Sequence, residues 1–215
     1  MVDEEELLSL LALRRAGISS HELFALFSPT FTELNLGLPS RKAAYQSEIA
    51  SYWDEARAEL ETCQQAEIKV LPFISPSYPS SLAHLHQSCP LVLYLRGDVS
   101  LLDAPHRLAI IGTRYPTTQG YQDAYQIAKE EAQRGAVIIS GLAVGCDEAA
   151  HRGALDAGGR TIAVVATGLD QVYPTVHRPL QERLLAHGGL VISEYPLGTS
   201  LESYRLIQRN RILAG

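Results

Sequence analysis

From Arg107 onward the chain alternates short apolar runs with longer stretches of mixed polarity. Arg107 to Ile111, Ala136 to Ser140, Thr161 to Thr167 and Leu190 to Ser193 each read as a short strand. Near-continuous apolar runs of this length fit strands buried on both faces. Between them, Thr117 to Arg134, Glu148 to Ala157 and Val176 to His187 are long enough for helices. Strand–helix alternation of this kind predicts a parallel sheet with right-handed crossovers. Upstream the pattern is different. Residues 4–34 read as short helices, with Leu7, Leu8, Leu10, Leu11 and Leu13 forming an apolar face before Gly17. A second helix starts at Ser20 or His21 and runs through Leu23, Phe24, Leu26 and Phe27 to Ser28-Pro29. Arg41 to Gln65 reads as one longer helix, and Ile68 to Phe73 as a strand. Prolines 72, 76 and 79 then interrupt regular structure, and Leu91 to Leu95 is a further apolar run. The expected organisation is a helical N-terminal domain over 1–66, a connecting region over 67–105 and a sheet domain over 106–215.

The helix–glycine–helix pattern of the first domain is of the SAM or helix-hairpin-helix kind, which can read a DNA backbone. Asp3, Glu4, Glu5 and Glu6 would repel that backbone, so a packing or protein-interaction module is the favoured reading. The net charge of −6 points the same way for the whole chain, but its distribution matters. Residues 1–70 hold six Lys+Arg against twelve Asp+Glu, whereas residues 71–215 hold twelve of each. Eleven of those twelve cations are arginine, the planar fork suited to phosphates and base faces. Cys63, Cys89 and Cys146 form no CxxC pair, which suggests a reducing cytoplasm and no zinc framework. No spanning-length apolar run and no signal peptide is present in the sequence.

In a parallel sheet the loops after the strands gather at one edge, and ligands bind there. Gly112-Thr113-Arg114, Ser140-Gly141, Gly168 and Glu194 are all placed at that edge. Glycines at a strand-to-helix turn let an anion approach unpaired backbone N–H groups. The plainer reading is a tight turn with Asp147 as the N-cap of the helix from Glu148. There is no GxGxxG opening the first helix and no GxxxxGK[ST], which argues against NAD chemistry and P-loop hydrolysis.

Five ordered blocks carry a sharper signal. Tyr78-Pro79 with Leu82 leads to Pro90 through Gly97. Ile111-Gly112-Thr113-Arg114 comes next, and then Ser140 to His151 with Gly153-Ala154-Leu155. Gly168-Leu169-Asp170 with Tyr173-Pro174 precedes Ser193-Glu194-Tyr195-Pro196. Arg209-Asn210-Arg211-Ile212-Leu213-Ala214-Gly215 closes the chain. Together they resemble the DprA/Smf family of bacterial DNA-processing proteins over about residues 70–215. The resemblance implies an α/β, Rossmann-like parallel sheet behind a small helical N-terminal domain. It also implies a single-stranded DNA binder that protects incoming strands and helps load the RecA recombinase in natural transformation, with no catalytic step and no cofactor. A homodimer is implied for the full-length family. Carried onto this chain, the expected DNA contacts are Gly112, Thr113, Arg114, Ser140, Gly141, Leu142, Ala143, Gly168, Arg209, Asn210 and Arg211. Amides around Gly112 and after Ser140 would hold phosphates, Arg114 would add a charge-assisted bond, and Arg209, Asn210 and Arg211 would close the groove. Asp147 and Glu194 are expected to be structural, Glu194 either orienting an arginine such as Arg211 or standing as a leftover of an enzymatic ancestor. His151 is expected to be a packing residue.

The chain departs from the family pattern at Cys146, where isoleucine is usual, and at Leu206-Ile207, where Phe-Pro is usual. The second change removes a possible stacking ring. The family's sheet domain continues past the equivalent of Gly215, so a C-terminally truncated domain with exposed apolar edges and reduced stability is expected, lacking the part credited with RecA contact and dimerisation. The rival reading is a nucleotide-binding enzyme or sensor of the lysine-decarboxylase-like phosphoribohydrolase type, echoed only in Gly198-Thr199-Ser200-Leu201-Glu202.

Overall fold

The computed structural model describes residues 3–27 and 41–215. The expected helix end at Ser28-Pro29 lies outside them. The chain forms two compact units, residues 1–93 and 94–215.

In the first unit, helix α1 (Glu4–Arg15) is capped by Asp3, whose carboxylate accepts from the Glu5 amide at 3.2 Å. Acidic residues fill its first turn, and Arg14 and Arg15 its last, as the helix dipole favours. Leu8, Leu10, Leu11 and Leu13 are buried. Helix α2 (Ser20–Phe27) follows. Residues 41–65 do not form one continuous helix. A 3₁₀ turn (Arg41–Tyr45) leads to α3 (Gln46–Ser51), and α4 (Trp53–Gln65) starts after a break at Tyr52, whose φ of −113° and ψ of 11° leave the helical region. The break lets both α3, through Ile49, and α4, through Ala56 and Cys63, pack apolar side chains toward α1. Glu59 of α4 is buried between Arg14 and Arg15, at 2.7 Å from each. Strand β1 (Lys69–Pro72) and the short helix α5 (Ser80–Ala83) complete this unit, with the Tyr78 hydroxyl donating to the Pro90 carbonyl at 2.6 Å.

The second unit is built on β2 (Val92–Gly97, whose last four residues belong here), β3 (Arg107–Ala109), β4 (Val137–Ser140), β5 (Thr161–Val164) and β6 (Leu190–Ser193), in the spatial order β2-β6-β5-β4-β3. The last four strands run parallel, with Ile138 opposite Thr161 and Ala163 opposite Val191. β2 runs antiparallel to β6, Tyr94 facing Ser193 and Gly97 facing Leu190. The apolar run at 91–95 therefore belongs to the sheet as well as to a connection. β5 and β6 are buried throughout, as their unbroken apolar character requires. β3 is the outer edge, and Ala109 and the following Ile111 are exposed. Helices α6 (Thr118–Gln133), α7 (Cys146–Asp156), α8 (Arg178–Ala186) and α9 (Ser203–Ala214) complete the unit. α6 and α7 approach closely because small residues meet there: Ala128 lies against Gly153, where a Cβ would stand 2.2 Å from the Tyr125 carbonyl oxygen, and Ala132 lies against Gly159 just after α7. Among the described residues no helix is long and apolar enough to cross a membrane.

Candidate functional site

Because β3 to β6 are parallel, their C-terminal ends deliver residues 112–114, 140–143, 168 and 194 to one edge of the sheet. The loops there interlock. Ser140 donates its hydroxyl to the Ile110 carbonyl at 2.7 Å, and the Cys146 amide donates to the Thr113 carbonyl at 3.2 Å. Ser193 donates to the Thr167 carbonyl at 2.7 Å, and the Gly168 amide to Thr199 at 2.9 Å. Two glycines are required by this contact. Gly145 has φ +87°, with the Thr113 carbonyl oxygen 2.5 Å from where a Cβ would stand. Gly141 lies against Arg209, whose Nη1 would be 2.2 Å from an added Cβ.

The helix after the glycine loop starts at Cys146, two residues earlier than expected, and Gly145 takes the cap position. Asp147 is consequently inside the first turn and is not the N-cap. Its buried carboxylate turns back on the loop and accepts from the amides of Gly141 at 3.1 Å and Ala143 at 3.4 Å, and from that of Gly112. This corrects the expected phosphate cradle. Three of the amides assigned to an external anion are already engaged by an internal one. Burial raises the Asp147 carboxyl above the usual carboxylate range, against the pull of Arg209 and of these amides.

Arg209 is the counter-charge. It is 5% exposed and donates through Nη1 to the carbonyls of Gly141, at 2.7 Å, and Val164. Burial lowers its pKa, Asp147 opposes that shift, and the nearby charge of Arg114 adds to it. The expectation that Arg209 closes a groove over DNA is thus replaced by a different role, a brace between the loops after β4 and β5. Arg211 donates to Glu194 at 2.5 Å, the orienting pair expected of Glu194. Asn210, between them, is exposed.

Leu142 is fully buried yet has φ +58°, a conformation that costs a non-glycine residue about 1 kcal/mol or more. His177 holds it there. Nδ1 donates to the Leu142 carbonyl at 2.8 Å, and Nε2 lies 3.3 Å from Glu148 of α7. Nothing in the local sequence marks His177 for this role, because its partner is 35 residues away. His151 is buried, and its Nδ1 meets the Thr161 hydroxyl at 2.8 Å, which itself donates to the Ile138 carbonyl. Nδ1 therefore carries the proton. Burial, with help from His177 and Arg209, pushes the His151 pKa down to about 3. It stays neutral and packs.

Arg114 is exposed, and so are Gly112 and Thr113. With Gly141, Ala143, Tyr173 and Leu206 it lines a cleft floored by Val165, Ala166 and Thr167 after β5. Arg114 is the strand-end arginine that the fold leaves facing outward. Glu202, the echo of the enzyme motif, ion-pairs with Arg205 at 2.9 Å as α9 starts. Among the described residues no group of three or more His, Cys, Asp or Glu could hold a metal ion.

The profile of the family described as DNA recombination-mediator protein A matches residues 69–215. The DNA processing protein DprA of Bacillus subtilis is 34% identical over 175 residues, which cover 81% of this chain and 58% of that protein. Protein Smf of Synechocystis is 41% identical over 159 residues, covering 73% of this chain and 39% of its own. The chain thus spans roughly two-fifths to three-fifths of the length of these relatives. Among solved structures, DNA processing protein A of Streptococcus pneumoniae superposes with a TM-score of 0.78 at 28% identity, covering 100% of this chain and 75% of that one. The Helicobacter pylori protein, whose structure concerns a single-stranded DNA binding mode, superposes with a TM-score of 0.59 at 35% identity, covering 68% and 64%.

Proposed function

This chain belongs to the DNA recombination-mediator protein A family, and we propose that it binds single-stranded DNA along the strand-end edge of its sheet. The observation that carries this reading is Arg114. It is an exposed guanidinium on a cleft beside a loop that Asp147 holds through its amides and Arg209 through the Gly141 carbonyl. The buried pair shapes the loop, and Arg114 meets the phosphate with a charge-assisted bond. Thr113 and Asn210, both exposed, are the polar groups placed to extend the contact along a backbone. The amides of Gly112, Gly141 and Ala143 act at one remove, by holding Asp147 and so the loop. The H. pylori relative and its single-stranded DNA binding mode support this choice of ligand.

We extend this reading to the wider role that the resemblance implies: the bound strand is protected as it enters the cell and is passed on to RecA in the cytoplasm, with the RecA contact and the homodimer belonging to the full-length family proteins. The phosphoribohydrolase-type alternative is the weaker one, because its signature glutamate, Glu202, is engaged by Arg205.

The test is fluorescence anisotropy of labelled oligothymidine across a salt series. Tight binding that weakens with salt is expected. Arg114→Ala is expected to lower affinity about tenfold or more and to flatten the salt slope by about 0.7, one phosphate contact. Unchanged affinity and slope in that variant would remove Arg114 from the site.

A further inference from the structure

Two tyrosine rings flank the outward-facing arginine with nothing laid over them. Tyr115 directly follows Arg114 and is 90% exposed. Its backbone is tied to the turn, since its amide donates to the Thr113 hydroxyl at 3.1 Å. Tyr173 shares the cleft with Arg114 and is 43% exposed, although its neighbour Val172 is buried. Water serves a phenolic hydroxyl well and an aromatic face poorly, so exposed rings near an outward-facing arginine favour an apolar, planar occupant.

The other tyrosines near this rim differ. The Arg205 guanidinium lies over the rings of Tyr195 and Tyr204, 5.2 Å and 5.4 Å from their centroids. Glu202 holds that guanidinium, and the Tyr195 hydroxyl donates to Gln208. Among the described residues, neither Tyr115 nor Tyr173 meets a cation or a second ring.

We propose that Tyr115 and Tyr173 are base-stacking residues that take unpaired bases from the strand whose phosphate Arg114 holds. This rests on the single-stranded DNA reading above. A duplex hides its base faces in its own stack, whereas a single strand offers them, and every base has such a face. The rings therefore select single strands without selecting a sequence. Arg114 alone selects only for phosphate.

The two contributions separate on an oligomer that has phosphates and no bases. Labelled oligothymidine and an abasic oligodeoxynucleotide of equal length are titrated against the 215-residue chain and against Tyr115→Ala, Tyr173→Ala and Tyr173→Phe. Wild type is expected to bind oligothymidine about tenfold tighter than the abasic strand. Each alanine variant should lose about fivefold or more of the oligothymidine affinity while its abasic affinity stays within about twofold, and the phenylalanine variant should keep the preference. Equal wild-type affinity for the two oligomers overturns the proposal. So does an alanine variant that weakens both equally. The phosphate contact is judged separately, because Arg114→Ala lowers both affinities together. If folded wild type binds neither oligomer, the single-stranded DNA reading fails, and the stacking role with it.

Discussion

Arg209 and Arg114 reach the same strand-end edge and do opposite things. Arg209 is buried, turned inward onto two carbonyls and coupled to Asp147. Arg114 is exposed and turned onto the cleft. The inward arginine gives the loop after β4 its shape, and the outward one meets what arrives. Cations at one sheet edge are thus of two kinds, and burial separates them. The same holds for the anion-binding amides. In this site the anion they hold is part of the chain, the Asp147 carboxylate.

Removing Arg209 should break the inner half. Arg209→Met leaves two buried carbonyls without their donor and removes the nearby positive charge from Asp147, a loss of about 1–3 kcal/mol. Chemical denaturation should show it as a large fall in midpoint. An unfolding free energy within about 0.5 kcal/mol of wild type would mean that the brace contributes little. Gly141→Ala attacks the same contact from the other side. Its Cβ falls on the Arg209 guanidinium, so a cost of about 1–3 kcal/mol is expected, together with weaker DNA binding as the loop shifts.

Acid tests the core beneath. The His151 pKa lies near 3 in the folded chain against 6.5 when unfolded, so its contribution is complete above pH 6.5 and is lost as pH falls toward 3. Stability should drop by about 1.4 kcal/mol per pH unit from this group within that window. Equilibrium unfolding at pH 7 and pH 5 measures the slope, and His151→Gln should remove this part of it. An unchanged slope in that variant would assign the acid sensitivity elsewhere.

The outer half should respond least in stability. Arg114→Ala is expected to change the unfolding free energy by under about 0.5 kcal/mol while DNA affinity falls. A large destabilisation there would erase the distinction between the two arginines.

Much of this was legible in the chain, for stated reasons. The apolar runs from Arg107 onward placed four parallel strands, and the residue after each strand fell at one edge whatever the details of packing. Glu194 orienting an arginine such as Arg211 was one of two readings of that residue, and His151 read as a hydrogen-bonded packing residue. Other features were not legible. The single helix expected over 41–65 divides at Tyr52, because two short segments pack on α1 where one straight rod would not. The antiparallel β2 looked like part of a connection because an apolar pentapeptide has no direction of its own. His177 gave no sign that it clamps Leu142.

Local pattern and spacing thus settled the layered α/β architecture, the edge where the loops meet and the residues available there, since periodicity and strand direction are properties of the chain itself. Which of those residues face a ligand and which face each other was decided only on folding. That choice depends on burial and on partners tens of residues distant. Asp147 took the amides meant for a phosphate, Arg209 took the carbonyls beneath them, and Arg114, flanked by Tyr115 and Tyr173, was left open to solvent.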